Sequence, residues 1–346
     1  MCSALFLRIS TFAVMKPTLR QIAKELNVSP STVSRALSND PGVSSDRAEE
    51  IRAFAEKHGY RPQPMRRGMN RTIGLVVSSD TGSAPDDSYQ NELLSAVASR
   101  IGAEGWHLQH EYVKRGAGLP TLIRENRVDG ILLTGGPDRD LCDAIRNLNV
   151  PAVALDDLTS RTGLFSVVAD ARAAMIGLVS HLREIGHRKI ALVASAKKFP
   201  TMVARVEGFR ESAKKLESTI QFTSGDVTLQ QGQIATRQLF AAGNRPTAII
   251  YATDILAVGG LIELMRLGIS VPGQVSIAGC DNTIFSQQLD PSLTSIDLNL
   301  AGMVDAAFTQ LRNLIANDVP LAPRQTTLAA GIVWRASCSG IVQSNR

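Results

Sequence analysis

From about Ile73 onward the chain alternates short apolar runs with longer helical stretches, and this alternation limits the fold more than any other feature. The runs are "TIGLVV", "VDGILLT", "VPAVAL", "KIALVA", "TAIIYA" and "VSIAGC". Each is nearly continuous in apolar residues rather than alternating, which is how strands read when helices cover both faces of a parallel sheet. Residues 89–103, 171–185, 203–216 and 255–267 carry the helical periodicity between them. The pattern predicts a doubly wound α/β body, whose ligands sit outside the carboxyl ends of the strands. Enzymes and binding proteins both use such bodies, so the pattern alone assigns no function.

The first sixty residues read differently. "TLRQIAKELNVSPSTVSRALSNDPGVSSDRAEEIRAFAEKHGY" predicts three short helices. Thr18 and Gln21 form a capping box, and Leu19, Ile22, Ala23 and Leu26 make one apolar face. Asn27 and Val28 make a tight turn. Ser29 then caps a second helix that has Pro30 at its first position, where a missing N–H costs nothing. Val33 and Leu37 point inward, which leaves Ser31, Thr32, Ser34 and Arg35 outside. Ser44 or Ser45 caps a third helix with Ala48, Ile51 and Ala55 inward, and Gly59 ends it. Two helices around a brief turn, braced by a third, predict an all-α helix-turn-helix headpiece. Its second helix would enter a major groove with Pro30, Ser31 and Arg35 at base edges, and Ser29, Thr32 and Ser34 on phosphates. A small helical bundle whose serines merely cap is the plainer alternative.

Charge supports a nucleic-acid module. Residues 15–72 hold eleven Lys and Arg against six Asp and Glu, a net +5 that equals the net charge of the whole chain. The remainder of the chain is close to neutral, the footprint of a small DNA-binding unit on a larger body. Cys2, Cys142, Cys280 and Cys338 are far apart, which argues against a disulfide scaffold and suits a reducing cytoplasm. No run of 18 apolar residues is present, so no membrane partner is expected. Residues 1–14 are expected to be an upstream extension, with Met15 the functional start.

"IAKELNVSPSTVSRALSNDPGVSSDRAEEI...GYRP" resembles the DNA-binding headpiece of the lactose-repressor/galactose-repressor family. The resemblance implies that Pro30 and Ser31 occupy the main operator-reading positions, with Arg35 a third. It also gives a meaning to "GYRPQPMRRGMNRTIGLVV", which packs four arginines into a short connector. In the family this segment is a hinge helix that folds on the operator, pairs with its dimer mate and enters the minor groove. Met69 falls at the position of the family's wedging leucine and Arg67 at its usual arginine, while Arg66 replaces a small alanine. A basic linker that only contacts phosphates is the alternative.

The body shares the resemblance. "VVADARAAMIGLVSHLREIGHRKIALVA", "RVEGFRESAKKL" and "RPTAIIYATDILAVGGLIELMRLGISVPGQVSIAGCDN...LDPSLTSID" are similar to the family's effector domain. That domain is a two-lobed α/β fold of the type I periplasmic-binding-protein kind. The resemblance implies Arg205 and Asp281 as cleft ligands, with Tyr89 and Asp138 matching more loosely, and Thr253 where the family usually has Asn. The same residue types also serve as ion pairs and helix caps. The implied organisation is a headpiece at 15–63, a hinge at 64–72 and an effector-binding and dimerisation domain at 73–340. Its first lobe takes in 73–169 and 301–322 and its second 170–300 and 323–340, with crossings near residues 169–170, Leu300 and Pro323.

Catalytic signatures are missing. There is no G-x-x-x-x-G-K-[ST] and no G-x-S-x-G, and the His107/His110 pair straddles a predicted strand on opposite faces, so it cannot share a metal. No cofactor, metal or catalytic residue is expected. The expectation is a cytoplasmic, homodimeric, non-enzymatic transcription regulator. Its partners would be a near-palindromic double-stranded DNA operator and a small-molecule effector, a sugar or sugar derivative. The rivals are an exported solute-binding protein, a co-repressor-dependent regulator with a non-sugar ligand, and an α/β enzyme with a DNA-binding arm.

Overall fold

The computed structural model describes residues 19–37, 42–57, 70–81, 88–196, 199–224, 227–241, 243, 245–317 and 324–341. The chain divides into two compact units, Met1–Gly68 and Met69–Arg346.

The first unit holds helices α1 (Leu19–Glu25), α2 (Pro30–Leu37) and α3 (Ser45–Lys57). Asn27 takes a left-handed conformation in the α1–α2 turn, where an asparagine is tolerated. The Ser29 hydroxyl accepts from the Thr32 backbone N–H at 3.0 Å, so it caps α2 as expected. The core is small: Ile22, Ala23, Val33, Ala36, Ala48, Ile51 and Ala55 are buried together. Arg47 on α3 donates to the Leu26 carbonyl at 2.7 Å and so ties α3 to the end of α1.

The second unit is built on two six-stranded sheets. The first sheet begins with β1 (Thr72–Ser79), α4 (Ser88–Gly102), β2 (His107–Lys114), α5 (Thr121–Arg124) and β3 (Gly130–Thr134). It continues with α6 (Arg139–Asn147), β4 (Ala152–Leu155), α7 (Thr159–Thr162) and β5 (Phe165–Ala169). The chain then crosses to α8 (Ala171–Glu184), β6 (Lys189–Ser195), α9 (Pro200–Ser212), β7 (Glu217–Thr223), α10 (Leu229–Ala241) and β8 (Ala248–Tyr251). There follow α11 (Asp254–Arg266), β9 (Ser276–Cys280), α12 (Ile284–Gln288) and β10 (Thr294–Asp297). Finally α13 (Leu300–Ala316) and β11 (Gln325–Leu328) return to the first sheet, and β12 (Gly331–Val333) closes the second.

The sheet orders are β2-β1-β3-β4-β5-β11 and β7-β6-β8-β9-β10-β12. All neighbours are parallel except β10 and β12. The lobes therefore share one winding, with the strand order reversing between β1 and β3 and between β6 and β8. All six apolar runs are strands. Their central residues, such as Leu132, Val153, Leu192, Ile250 and Ile277, are fully buried because helices cover both faces.

Asp170 makes the first crossing and caps α8 by accepting from Ala173 N–H at 2.9 Å. Asn299 makes the second in a left-handed conformation and caps α13. The third crossing lies at residues 329–330 and not near Pro323, because β11 still pairs in parallel with β5. The second lobe's last segment therefore starts beyond Leu328, not at residue 323. No helix among the described residues is long and apolar enough to cross a membrane.

Candidate functional site

Two surfaces carry the predicted residues. On the headpiece, Ser29, Pro30, Ser31 and Arg35 are exposed and Thr32 is partly so, all at or near the start of α2. Ser31 and Arg35 are one turn apart and share a face. The Ser29 hydroxyl also meets the Ser31 and Thr32 hydroxyls at 2.7 and 2.8 Å, so these three form a local network rather than independent arms. The Ser34 side chain, and Arg66, Arg67 and Met69 of the connector, lie outside the described residues.

The second surface lies where the two strand orders reverse, at the carboxyl ends of the central strands. Arg205, on α9, is 4% exposed. Its Nη2 donates to Asp281 Oδ1 at 2.9 Å and its Nη1 to the Ala252 carbonyl. Ala252 follows β8 and Asp281 follows β9, so this one guanidinium joins two strand ends. Burial works against the Arg205 charge. The carboxylates around it, Asp281 and Asp156, help to outweigh burial and hold its pKa above the ordinary arginine value. Tyr89, buried on α4 of the first lobe, and Asp156, just past β4, both act electrostatically on Arg205 of the second lobe. Among the described residues Arg205 Nε, Ser78 Oγ, Thr134 Oγ1 and Thr223 Oγ1 are buried without a hydrogen-bond partner. Three of these sit at or near strand ends, as polar groups available to a bound molecule would.

Two contacts join the lobes across this region. The Arg115 guanidinium, just past β2, lies 5.5 Å from the centre of the Phe199 ring at the start of α9. Arg115 also donates to the Gly135 and Gly136 carbonyls at 2.6 and 3.0 Å and pairs with Asp80. Gly135 has φ +77°, and a Cβ there would stand 2.2 Å from the Ser78 carbonyl oxygen, so only glycine lets these strand ends meet. Nearby, Glu92 on α4 accepts from the Ile284 backbone N–H at 2.8 Å.

The predicted cleft residues thus divide. Arg205 and Asp281 come together, and Tyr89 stands within electrostatic reach. Thr253 is buried, and its hydroxyl accepts from Leu256 N–H at 3.4 Å, so it caps α11. Asp138 is a cap too: Oδ1 accepts from Leu141 N–H and Oδ2 from Gly116 N–H, each at 2.8 Å. Burial opposes its ionisation, but these backbone N–H groups outweigh burial and hold its carboxyl below the ordinary aspartate range. A depressed carboxyl contributes stability above the unfolded pKa and loses it as pH falls through the folded pKa. Asp138→Ala should therefore cost about 0.5–2 kcal/mol at neutral pH in urea unfolding. The gap to wild type should close as the medium is acidified below the ordinary aspartate pKa. A gap that persists at low pH would remove the carboxylate's charge from the account.

Sequence reading passed over Arg115, Asp156 and Phe199. Arg115 and Asp156 were findable, since each is the first residue after a strand. Phe199 follows a loop and carried no such mark.

Residues 18–63 match the family profile described as "Bacterial regulatory proteins, lacI family", and residues 179–338 match "Periplasmic binding protein-like domain". The chain is 29% identical over 295 residues to the HTH-type transcriptional repressor CytR of Escherichia coli (strain K12), covering 81% of this chain and 84% of CytR. Its fold is similar to the transcriptional regulator CelR in complex with cellobiose, at TM-score 0.67 and 24% identity over 93% of this chain and 99% of CelR. It is equally similar to the Lac repressor dimer bound to operator and the anti-inducer ONPF, at TM-score 0.67 and 23% identity with the same coverage.

Proposed function

We propose, from the premise that this chain belongs to the lacI family of bacterial regulatory proteins, that it is a sequence-specific DNA-binding repressor controlled by a small molecule bound between its lobes. The observation that carries the DNA half is the exposed Pro30–Ser31–Arg35 face on the second helix of a helix-turn-helix. In this reading α2 lies in the major groove. Arg35 donates two hydrogen bonds to a guanine edge, and Pro30 makes an apolar contact with a thymine methyl. Ser29, Thr32 and Ser34 meet phosphates, and Arg66, Arg67 and Met69 enter the minor groove. Two copies read a near-palindromic operator, since two-fold protein symmetry demands a two-fold site.

The cleft reading rests on the buried Arg205–Asp281 pair at the reversal of strand order, with Tyr89 and Asp156 opposite it. A polyhydroxylated ligand such as a sugar suits it, because a carboxylate accepts from hydroxyls and a guanidinium donates to them. Its influence on DNA runs through the lobe arrangement: a ligand that prefers one arrangement shifts the population toward it. The contacts of Arg115 with Phe199 and of Glu92 with Ile284 are the ones such a shift would change. The chain acts by binding, without catalysis, in the cytoplasm.

Fluorescence anisotropy on an operator duplex selected from a random pool tests the DNA half. Arg35→Ala should weaken specific binding by about 1–3 kcal/mol and relax preference at one base position. If operator and random duplex still differ as for wild type, Arg35 does not read a base. A thermal-shift panel of cellobiose, D-ribose, D-glucuronate, glucose 6-phosphate and cytidine tests the cleft. A binder at a hundred times its Kd adds about 2.7 kcal/mol. Adding the hit to the operator titration then gives the sign of its effect.

A further inference from the structure

Asp254, the first residue of α11, is 1% exposed and takes no part in the reading above. Its Oδ2 accepts from the Thr283 backbone N–H at 2.8 Å and from the Thr283 hydroxyl at 3.1 Å. Its Oδ1 accepts from the Ser295 hydroxyl at 2.6 Å. The Ser295 oxygen accepts in turn from the Asn282 backbone N–H at 3.0 Å. One carboxylate thereby holds, directly or through a single relay, both residues that follow Asp281.

A helix start does not require this arrangement. The α11 cap is already supplied by Thr253, and a solvated acid would serve the helix dipole equally well. Burial pushes the Asp254 carboxyl pKa up, against the lowering effect of its own hydrogen bonds, so the charge is held at a cost. What those bonds hold is a strained turn. Asp281 has φ +119°, a conformation unfavourable for a residue with a side chain unless its surroundings enforce it, and Asn282 follows in the left-handed region at φ +51°, where an asparagine is tolerated. The far side of the turn is held as well: Asn282 Oδ1 accepts from Arg335 Nη2 at 2.6 Å, and Asp281 N–H donates to the Ile296 carbonyl at 2.9 Å. There is no spare room, because a Cβ on Gly279 would come within 2.2 Å of Asp254 Oδ1. The turn so held delivers the Asp281 carboxylate to Arg205.

We propose that Asp254 is a positioning residue for the Arg205–Asp281 pair, holding the turn at residues 281–283 in the geometry that presents this pair to the effector. This rests on the cleft reading above. Asp254→Asn keeps the volume but cannot accept from all three of its donors, so the turn opens more often while the remainder of the lobe stays folded.

Cys280 is fully buried between Gly279 and Asp281 and reports on the turn without any effector. Cys142, also fully buried on α6 of the first lobe, is the internal control. The full chain is alkylated under native conditions with iodoacetamide, and each cysteine is followed by peptide mass spectrometry. Asp254→Asn, and Ser295→Ala, which leaves every charge near the thiol in place, should both label at Cys280 about tenfold faster than wild type, with Cys142 unchanged. A rise confined to Asp254→Asn would be the effect of its lost charge on the thiol and would overturn the proposal. Glu263→Gln, on the same helix, loses the charge that faces Arg237 and Arg266 but leaves the turn alone, so its Cys280 rate should match wild type. Should Asp254→Asn not fold, Ser295→Ala removes only the relayed bonds and is judged by the same ratio. Equal Cys280 rates in variant and wild type would overturn the proposal. So would a parallel rise at Cys142, or an equal rise in Glu263→Gln, because either assigns Asp254 to general stability. The ratio needs no ligand, so a blank effector panel counts against the cleft reading alone.

Discussion

Asp281→Ala should abolish the effector response of operator binding and lower the stability of the effector-binding body by about 3–5 kcal/mol. Both effects have one cause. Arg205 is 4% exposed, and its guanidinium is compensated by the Asp281 carboxylate at 2.9 Å and by the Ala252 carbonyl. Removing the carboxylate leaves a buried charge short of its partner. It also removes the acceptor that a ligand hydroxyl would use. Asp281→Asn keeps a hydrogen-bond acceptor and should cost less, so the pair of variants separates charge from contact. The measurements are urea unfolding and operator titration with and without the effector found in the thermal-shift panel. The headpiece is a separate compact unit, so operator affinity without effector should stay within about threefold of wild type. A response that survives in Asp281→Ala would place the effector elsewhere.

The second large effect is expected in the headpiece. Ile51→Ala should unfold it and abolish specific operator binding while leaving the body's effector binding intact. Of the seven buried residues in that core, four are alanines, so Ile22, Val33 and Ile51 supply most of the buried apolar surface. Truncating a fully buried isoleucine costs about 2–5 kcal/mol. A unit this small has little more than that in reserve. Ile51→Val, at about 0.5–1.5 kcal/mol, should retain binding. Circular dichroism would show the lost helix, and the body's melting transition should not move. Undiminished operator affinity in Ile51→Ala would mean that contacts with DNA alone suffice to fold the unit.

The two predictions draw on different levels of the molecule, and these differ in how far the sequence reveals them. The headpiece was legible almost residue by residue. Ser29 caps, Pro30 starts a helix, and Ile22, Val33 and Ile51 turn inward, because helix periodicity and capping act over a few residues. The reading overlooked Ala36, which is fully buried, since alanine's small apolar surface leaves little mark on a pattern. The six apolar runs were legible as strands for a similar reason: burial on both faces demands continuous hydrophobicity. Strand β7, "ESTIQFT", is mostly exposed at a sheet edge, and β11 and β12 are short edge strands, so their partners decide their conformation. The third crossing was misplaced because β11 joins the first sheet through backbone pairing with β5, which no side-chain pattern announces.

The same division runs through the cleft. Arg205 and Asp281 were singled out from the sequence, but that they meet at 2.9 Å follows from the packing of α9 over the carboxyl ends of β8 and β9, whose pairing sets Ala252 and Asp281 before one guanidinium. Asp138, Thr253 and Asp254 carry identical-looking signals at strand-to-helix turns. The fold makes the first two caps, while Asp254 reaches 29 residues along the chain to Thr283. Sequence by itself determined which segments are buried and where helices begin, because those properties are written in near neighbours. Only the tertiary structure decided which polar ends face one another, because sheet order brings together residues whose separation along the chain encodes nothing about their distance in space.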